Sequence, residues 1–167
     1  MPAYMIVGEA RLPMRADADH SQIVHCGSCH RPHTVDTEWA AVKTCVSCHD
    51  DLNSHSYFSS PHYALWQSEL AGQIPNGTGV SCATCHMPKF ERHEQIKTNH
   101  NQNDNLRPDE KMIRAVYLDC HSLGFSLDAL ADEDLIKRNF KGKPTVHVKS
   151  IDWAIRRIAS GENKHED

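Results

Sequence analysis

The sequence predicts a mainly α chain with extensive loop and little or no sheet, whose core its own side chains do not fill. Three observations carry that expectation. Several segments open with helix start signals and continue with apolar residues at helical spacing. No stretch alternates as a half-buried strand does. Only 39% of the 167 residues are hydrophobic, short of the roughly 45–50% of ordinary globular domains. The length fits a single domain over 1–167, with a core at about 20–148 and a C-terminal helix at about 150–160.

The elements follow in order. Ser59-Ser60-Pro61 is a start signal with proline early, and the run to Gly72 carries Tyr63, Leu65, Trp66 and Leu70. Its end is the loop at 74–79, Ile-Pro-Asn-Gly-Thr-Gly. Arg107-Pro108-Asp109-Glu110 opens a second helix with an acidic first turn, leading through Met112, Ile113, Val116 and Leu118. Ser126 reads as the cap of a third, with Leu127, Leu130, Ala131 and Leu135 at helical period. Ser150 reads as the cap of a fourth, with Ile151, Ile155 and Ile158 on one face, closed by Gly161. Together these predict about 35–45% helix.

Charge and hydropathy exclude some functions. A formal net charge of −4, from 18 basic and 22 acidic residues in mixed order, provides no basic stripe for a nucleic acid. No run approaches the roughly 18 apolar residues of a membrane helix. The start MPAYMIVGEARLPM lacks a charged region followed by a continuous apolar run, so no signal peptide is expected in this chain.

Chemistry concentrates in 7 Cys and 13 His. Six cysteines form three C-x-x-C pairs, each followed at once by histidine: Cys26/Cys29/His30, Cys45/Cys48/His49 and Cys82/Cys85/His86. This is the attachment signature of c-type haem. Two thiols three residues apart lie on one side of a helical turn and can add to the two vinyl groups of a porphyrin edge, while the histidine reaches the iron. The stretches 24–33 and 80–89 share V-x-C-x-x-C-H-x-P, a turn of helix stopped by proline.

The competing reading is zinc, since 15 residues separate Cys26/Cys29 from Cys45/Cys48, a ribbon spacing. Zinc does not require the histidines. With 13 His in 167 residues, one follows a given cysteine by chance about 8% of the time, so three in three is roughly a one-in-2000 coincidence.

A fourth motif lacks its first thiol. In Tyr117-Leu-Asp-Cys120-His121 the second cysteine and the histidine are in place and Tyr117 stands where the first cysteine would. It reads as a fourth haem held by one thioether at Cys120. Four haems c are therefore expected, with His30, His49, His86 and His121 as proximal ligands and a haem-packed core.

Nine histidines remain, and distal ligation of four irons would consume four of them. His33, His55, His62 and His100 are the first candidates, with His20 in reserve and His25 and His93 after it. His147 ranks lower, and His165 lies in a charged tail. Met87 and Met112 read as core. Imidazole on both faces predicts low potentials. Trp39, Trp66 and Trp153 read as packing aromatics. The acidic groups Asp50-Asp51 and Asp132-Glu133-Asp134 read as helix starts and solvated faces, and the basic run Lys137 to Lys143 as a solvated end.

These residues resemble the multihaem c-type cytochromes, a group that includes tetrahaem electron carriers, pentahaem nitrite reductases and octahaem hydroxylamine oxidoreductases. The likeness rests on Cys45-Val-Ser-Cys48-His49 with His55, on Ser60-Pro61-His62-Tyr63 with Trp66, on Gly79-Val-Ser-Cys82-Ala-Thr-Cys85-His86-Met-Pro, and on His100-Asn-Gln-Asn-Asp-Asn-Leu-Arg-Pro108. It spans roughly 24–148.

The resemblance implies a helical haem domain of the periplasm or cell exterior that passes electrons between closely packed rings. It also implies a mature chain or a fragment of a longer polypeptide. Implied partners are redox proteins, other cytochromes or membrane quinol-linked donors. The alternative function is a haem enzyme acting on small nitrogen or sulfur oxyanions at one open haem. Against it, the chain has none of the C-x-x-C-K motifs of the pentahaem reductases, and Tyr117 sits within an attachment motif rather than over a catalytic ring.

Overall fold

The side chains of Asp51, Ser60, Ser81, Ser122 and Asp132 cap the starts of five helices of this chain. The computed structural model describes residues 26–31, 33–34, 36–101, 104 and 110–159. Contacts divide the chain into two units, Met1–Val116 and Tyr117–Asp167.

In the first unit, Asp36 opens the earliest long run by accepting the Trp39 N–H on Oδ1 at 2.8 Å. The run continues through a π-helical stretch, Trp39–Lys43, directly into α1, Thr44–Cys48. Asp51 caps α2, Leu52–Tyr57, accepting from the amides of Asn53 and Ser54 at 2.9 and 3.1 Å. Ser60 caps α3, Pro61–Leu70, accepting the Tyr63 N–H at 3.2 Å, with proline at the first turn as expected. Gly72, at φ +69°, then turns the chain into the 74–79 loop.

That loop is strapped to α3. The Glu69 carboxylate accepts from Gly77 N–H at 2.9 Å and also from Gly79 N–H. Gly79 is the close approach here: a Cβ on it would lie 3.0 Å from the Trp66 Cα. The strap delivers Ser81 as the cap of α4, Cys82–His86.

After Pro88 come β1, Lys89–Arg92, and β2, Gln95–Thr98, an antiparallel hairpin with Lys89 opposite Thr98 and Arg92 opposite Gln95. This is a stretch where the sequence gives no strand signal. Its two-residue turn is His93-Glu94, both at positive φ (53° and 60°), as a type I′ turn demands, without the Asn-Gly that marks such turns. All eight strand residues are exposed, so no buried face imposed an alternating pattern.

The second predicted helix is shorter than expected. Its start signal at 107–109 lies outside the described residues. α5, Lys111–Ala115, ends at Val116, which leaves helical dihedrals (φ −140°, ψ −54°), so the helix does not run into the fourth motif.

In the second unit the expected cap at Ser126 is corrected to Ser122, which accepts the Phe125 N–H at 3.2 Å and starts α6, Leu123–Ala131. Ser126 is interior and 1% exposed, and its hydroxyl donates back to the Ser122 carbonyl at 3.0 Å. The expected single helix is also broken at Asp132, which leaves helical dihedrals to cap α7, Glu133–Lys137. α8 runs Lys149–Ala159, placing Ser150 inside it; Gly161 lies outside the described residues.

Helices account for 56% of the described residues, with eight α-helices and one two-stranded sheet. The fold is mainly α. The excess over 35–45% of the whole chain reflects the smaller described set and the helical run at 37–48, where the sequence reading placed only the motif's turn.

Buried apolar side chains are few. Among the described residues they are Val42, Met112, Ala129 and Leu135, while fourteen large apolar residues are exposed, from Phe125 at 37% to Ile96 at 77%. No described helix is long and apolar enough to cross a membrane.

Candidate haem-attachment sites

All four cysteine–histidine motifs close the same turn. The His30 N–H donates to the Cys26 carbonyl at 2.8 Å, and the His49 N–H to the Cys45 carbonyl at 2.8 Å. Cys82 to His86 form one helical turn, α4. In the incomplete motif the His121 N–H donates to the Tyr117 carbonyl at 2.6 Å.

The first and fourth motifs match in detail. Both are 3-10 turns, Cys26–Ser28 and Tyr117–Asp119, in which the second cysteine's amide also donates to the first residue's carbonyl, at 3.2 and 3.1 Å. Loss of the first thiol leaves the backbone of the motif unchanged, because the closing bonds use main-chain atoms alone.

Three motifs are positioned in the first unit. The Thr44 hydroxyl donates to the Ser28 carbonyl at 2.9 Å, tying the first motif to the start of α1. Burial pushes the Cys29 thiol up, and the thiols of Cys45, Cys48 and Cys26 around it add to the shift against the Thr44 hydroxyl. The third motif is held by a capping box: Thr84 N–H donates to Ser81 Oγ at 3.1 Å and Ser81 N–H to Thr84 Oγ1 at 3.0 Å.

The second and third motifs meet. The Cys82 thiol beside Cys45, together with burial, pushes Cys45 strongly upward. Burial pushes the His86 imidazole below its ordinary value, with His49 adding repulsion. His49 Nδ1 is buried without a hydrogen-bond partner, as is Ser28 Oγ.

Beside them stands Tyr57, which sequence reasoning did not single out. Its hydroxyl donates to the Val80 carbonyl at 2.9 Å, and its ring meets Phe58 and Tyr63 edge-on at 5.6 and 5.3 Å. Burial first, then the nearby thiols of Cys82, Cys85 and Cys45, hold its phenol well above the usual range. The signal was the spacing of Tyr57, Phe58 and Tyr63 around the turn between α2 and α3.

The distal candidates fall in different places. His100 follows β2; its Nδ1 lies 3.0 Å from the Thr98 carbonyl, and its ring centroid is 6.3 Å from that of His30. His55, on α2, is exposed and spends Nε2 on Asp50 Oδ1 at 2.6 Å. As a ligand through that nitrogen it would have to leave Asp50. His62 is exposed in the first turn of α3, and His33 is exposed at φ 62°. His93 lies in the hairpin turn. His20, His25 and His165 lie outside the described residues.

His147 is engaged: Nδ1 contacts Asp128 Oδ2 and Nε2 contacts Asp152 Oδ1, each at 2.8 Å. His121 stacks on Phe125 at 4.8 Å and 19°. Trp39 lies under the Arg31 guanidinium at 4.2 Å, and Met112 is buried as read.

The acidic groups are structural. Burial works against ionisation of Asp51, but bonds from Ser54 and Asn53 outweigh it and hold the carboxyl low. Asp132 is pushed down to about 2, first by the Thr145 amide and then by that of Leu135.

The residues present fit haem c on two counts. The His49 Nδ1 is buried with no hydrogen-bond partner, and the His86 imidazole is half-buried. The exposed apolar surface far exceeds the buried core. Among the described residues no three His, Cys, Asp or Glu side chains converge to hold a metal ion. No protein-family profile, curated protein or solved structure matches the chain.

Proposed function

We propose that the chain is an electron-transfer protein, a multihaem c-type cytochrome carrying four covalently attached haems with mostly bis-histidine ligation. The observation that supports it best is the set of four turns closed alike, three with two thiols and one with Cys120 alone, each presenting a histidine directly after the last thiol.

Bound haem supplies a reversible one-electron couple whose potential follows its axial ligands and burial. The rest falls to the chain. Cys26/Cys29, Cys45/Cys48 and Cys82/Cys85 each fix a ring edge at two points, and Cys120 fixes one at a single point. His30, His49, His86 and His121 supply one ligand each. The contact of Cys45 with Cys82 puts two attachment points at one place, which keeps neighbouring redox centres close. The capping box at Ser81 fixes the third turn in itself, and the Thr44 to Ser28 bond ties the first turn to the helix that carries the second.

A ribbon-type zinc site draws four donors to a single point, whereas haem takes single donors from opposite sides of a ring. Four turns that each carry a histidine directly after the last thiol suit the second. The reading carries with it a location in the periplasm or at the cell exterior. It also carries redox proteins, other cytochromes or membrane quinol-linked donors as partners.

The test is low-temperature EPR of the ferric protein, integrated against total haem, with the covalent haem count from the denatured mass. Four attached haems, all or nearly all low-spin, is the expected result. Cys120→Ala should lower the covalent count by one. A protein purified without covalent haem overturns the reading, and a high-spin iron at one site moves it toward the oxyanion-converting enzyme.

A further inference from the structure

The rings of His30 and His100 lie near one another. Their centroids are 6.3 Å apart and their planes are inclined at 53°, and both residues are exposed. Direct packing does not account for this pair. An exposed tilted pair of imidazoles at that separation buries little surface and shares no hydrogen bond.

The separation has a chemical meaning. With a metal–imidazole bond of about 2.0–2.1 Å and a ring nitrogen about 1.1 Å from its centroid, two imidazoles on opposite sides of one metal ion have centroids about 6.3 Å apart. Each ring may rotate about its own metal–nitrogen bond, so the 53° inclination is permitted.

An independent observation concerns the tautomer. His100 Nδ1 lies 3.0 Å from the Thr98 carbonyl. A carbonyl only accepts, so Nδ1 carries the proton, and in the neutral ring Nε2 is left with a free lone pair. A backbone carbonyl on the far nitrogen is the usual support of a metal-bound histidine, since it fixes both ring orientation and basicity.

The backbone explains how the two meet. The hairpin begins just after the third motif, and its base is closed by the Asn99 N–H donating to the Pro88 carbonyl at 3.0 Å. His100 is the next residue. It is therefore held at the root of an arm that grows from Cys82–His86, while His30 belongs to the separate turn at Cys26.

Resting on the multihaem reading above, we propose that His30 and His100 are the two axial ligands of one iron. That iron belongs to the haem attached at Cys26 and Cys29, and its distal ligand is delivered by the hairpin of the third motif. His33, three residues after His30, is then not that iron's ligand.

The experiment uses the holoprotein and reads spin state per haem. His100→Gly is expected to turn one iron per chain high-spin with the covalent count unchanged, and added imidazole to return it to low-spin. His100→Met is expected to keep the haem count and raise one midpoint potential, which a merely structural role would not do. Removing the first haem with Cys26→Ala and Cys29→Ala should abolish the effect: His100→Gly in that background produces no high-spin iron. A fully low-spin His100→Gly protein overturns the pairing, as does a high-spin signal that survives loss of the first haem. A wild-type chain with no covalent haem fails earlier, at the reading itself, and takes the pairing with it.

Discussion

On the multihaem reading, withholding haem from the unaltered chain should leave it without a cooperative fold. Among the described residues, Val42, Met112, Ala129 and Leu135 are the buried apolar side chains, contributing together about 5–10 kcal/mol of transfer free energy. The fourteen large apolar residues that remain 37–77% exposed could contribute about 1 kcal/mol each if covered, or roughly 10–20 kcal/mol in all, as an upper figure. Net stabilities of domains are only about 5–15 kcal/mol. The surface a porphyrin could cover therefore outweighs the entire usual margin. The assay compares the same sequence made with and without haem attachment, by urea titration followed by far-UV and near-UV circular dichroism. The haem-free chain should retain partial helix, lose near-UV signal and unfold with a shallow slope, below that expected for its length. A steep, coincident transition with the midpoint of the haem-loaded protein would refute the argument that side chains alone do not make this core.

Two further outcomes concern the second unit. Leu135→Ala, at a residue 1% exposed, should cost about 2–5 kcal/mol of local stability, read as faster amide exchange across α6 and α7. The bridge of His147 to Asp128 and Asp152 should act over a bounded pH range. The hydrogen bond to Asp128 first, then that to Asp152, raises the His147 pKa, so its contribution is full below the unfolded value near 6.5 and is lost as pH climbs through the raised one. The His147 contact first, then the Val148 amide, lowers the Asp128 pKa, so that contribution is full above the ordinary carboxylate value and is lost as pH falls through the lowered one. Exchange protection of the Val148 amide should form a plateau between about pH 4 and 6.5 and decline on both sides; a flat profile contradicts the assignment.

How much of this was legible in the sequence depended on whether a signal was local. Ser60-Pro61 announces α3 because cap, proline and apolar run fall within one turn, and the cysteine–histidine turns close on their own backbone atoms. Ser122 and Ser126 are equally good caps on paper. The choice went to Ser122 because Ser126 is buried in the helix interior, a tertiary fact. Asp132 breaks what reads as one helix because its carboxylate serves Leu135 and, thirteen residues on, Thr145 at 2.8 and 2.9 Å. The hairpin escaped notice because both faces are exposed and its turn is His-Glu. With it went the meeting of His100 and His30, since a pairing across 70 residues depends on an element that sequence periodicity did not reveal.

On the proposed pairing, the closed base of that hairpin also bears on how His100 would compete for a metal. A side chain held beside its target by a short, hydrogen-bonded arm acts at an effective concentration at or above the millimolar range of short flexible tethers. Dissolved ligands at micromolar levels will not displace it by mass action while the arm is shut. Exchange at that position is then paced by opening of an isolated two-stranded ribbon, which is marginal in water. On the proposed pairing, the ribbon's own fraying rate, set by eight exposed residues, paces the entry of foreign ligands.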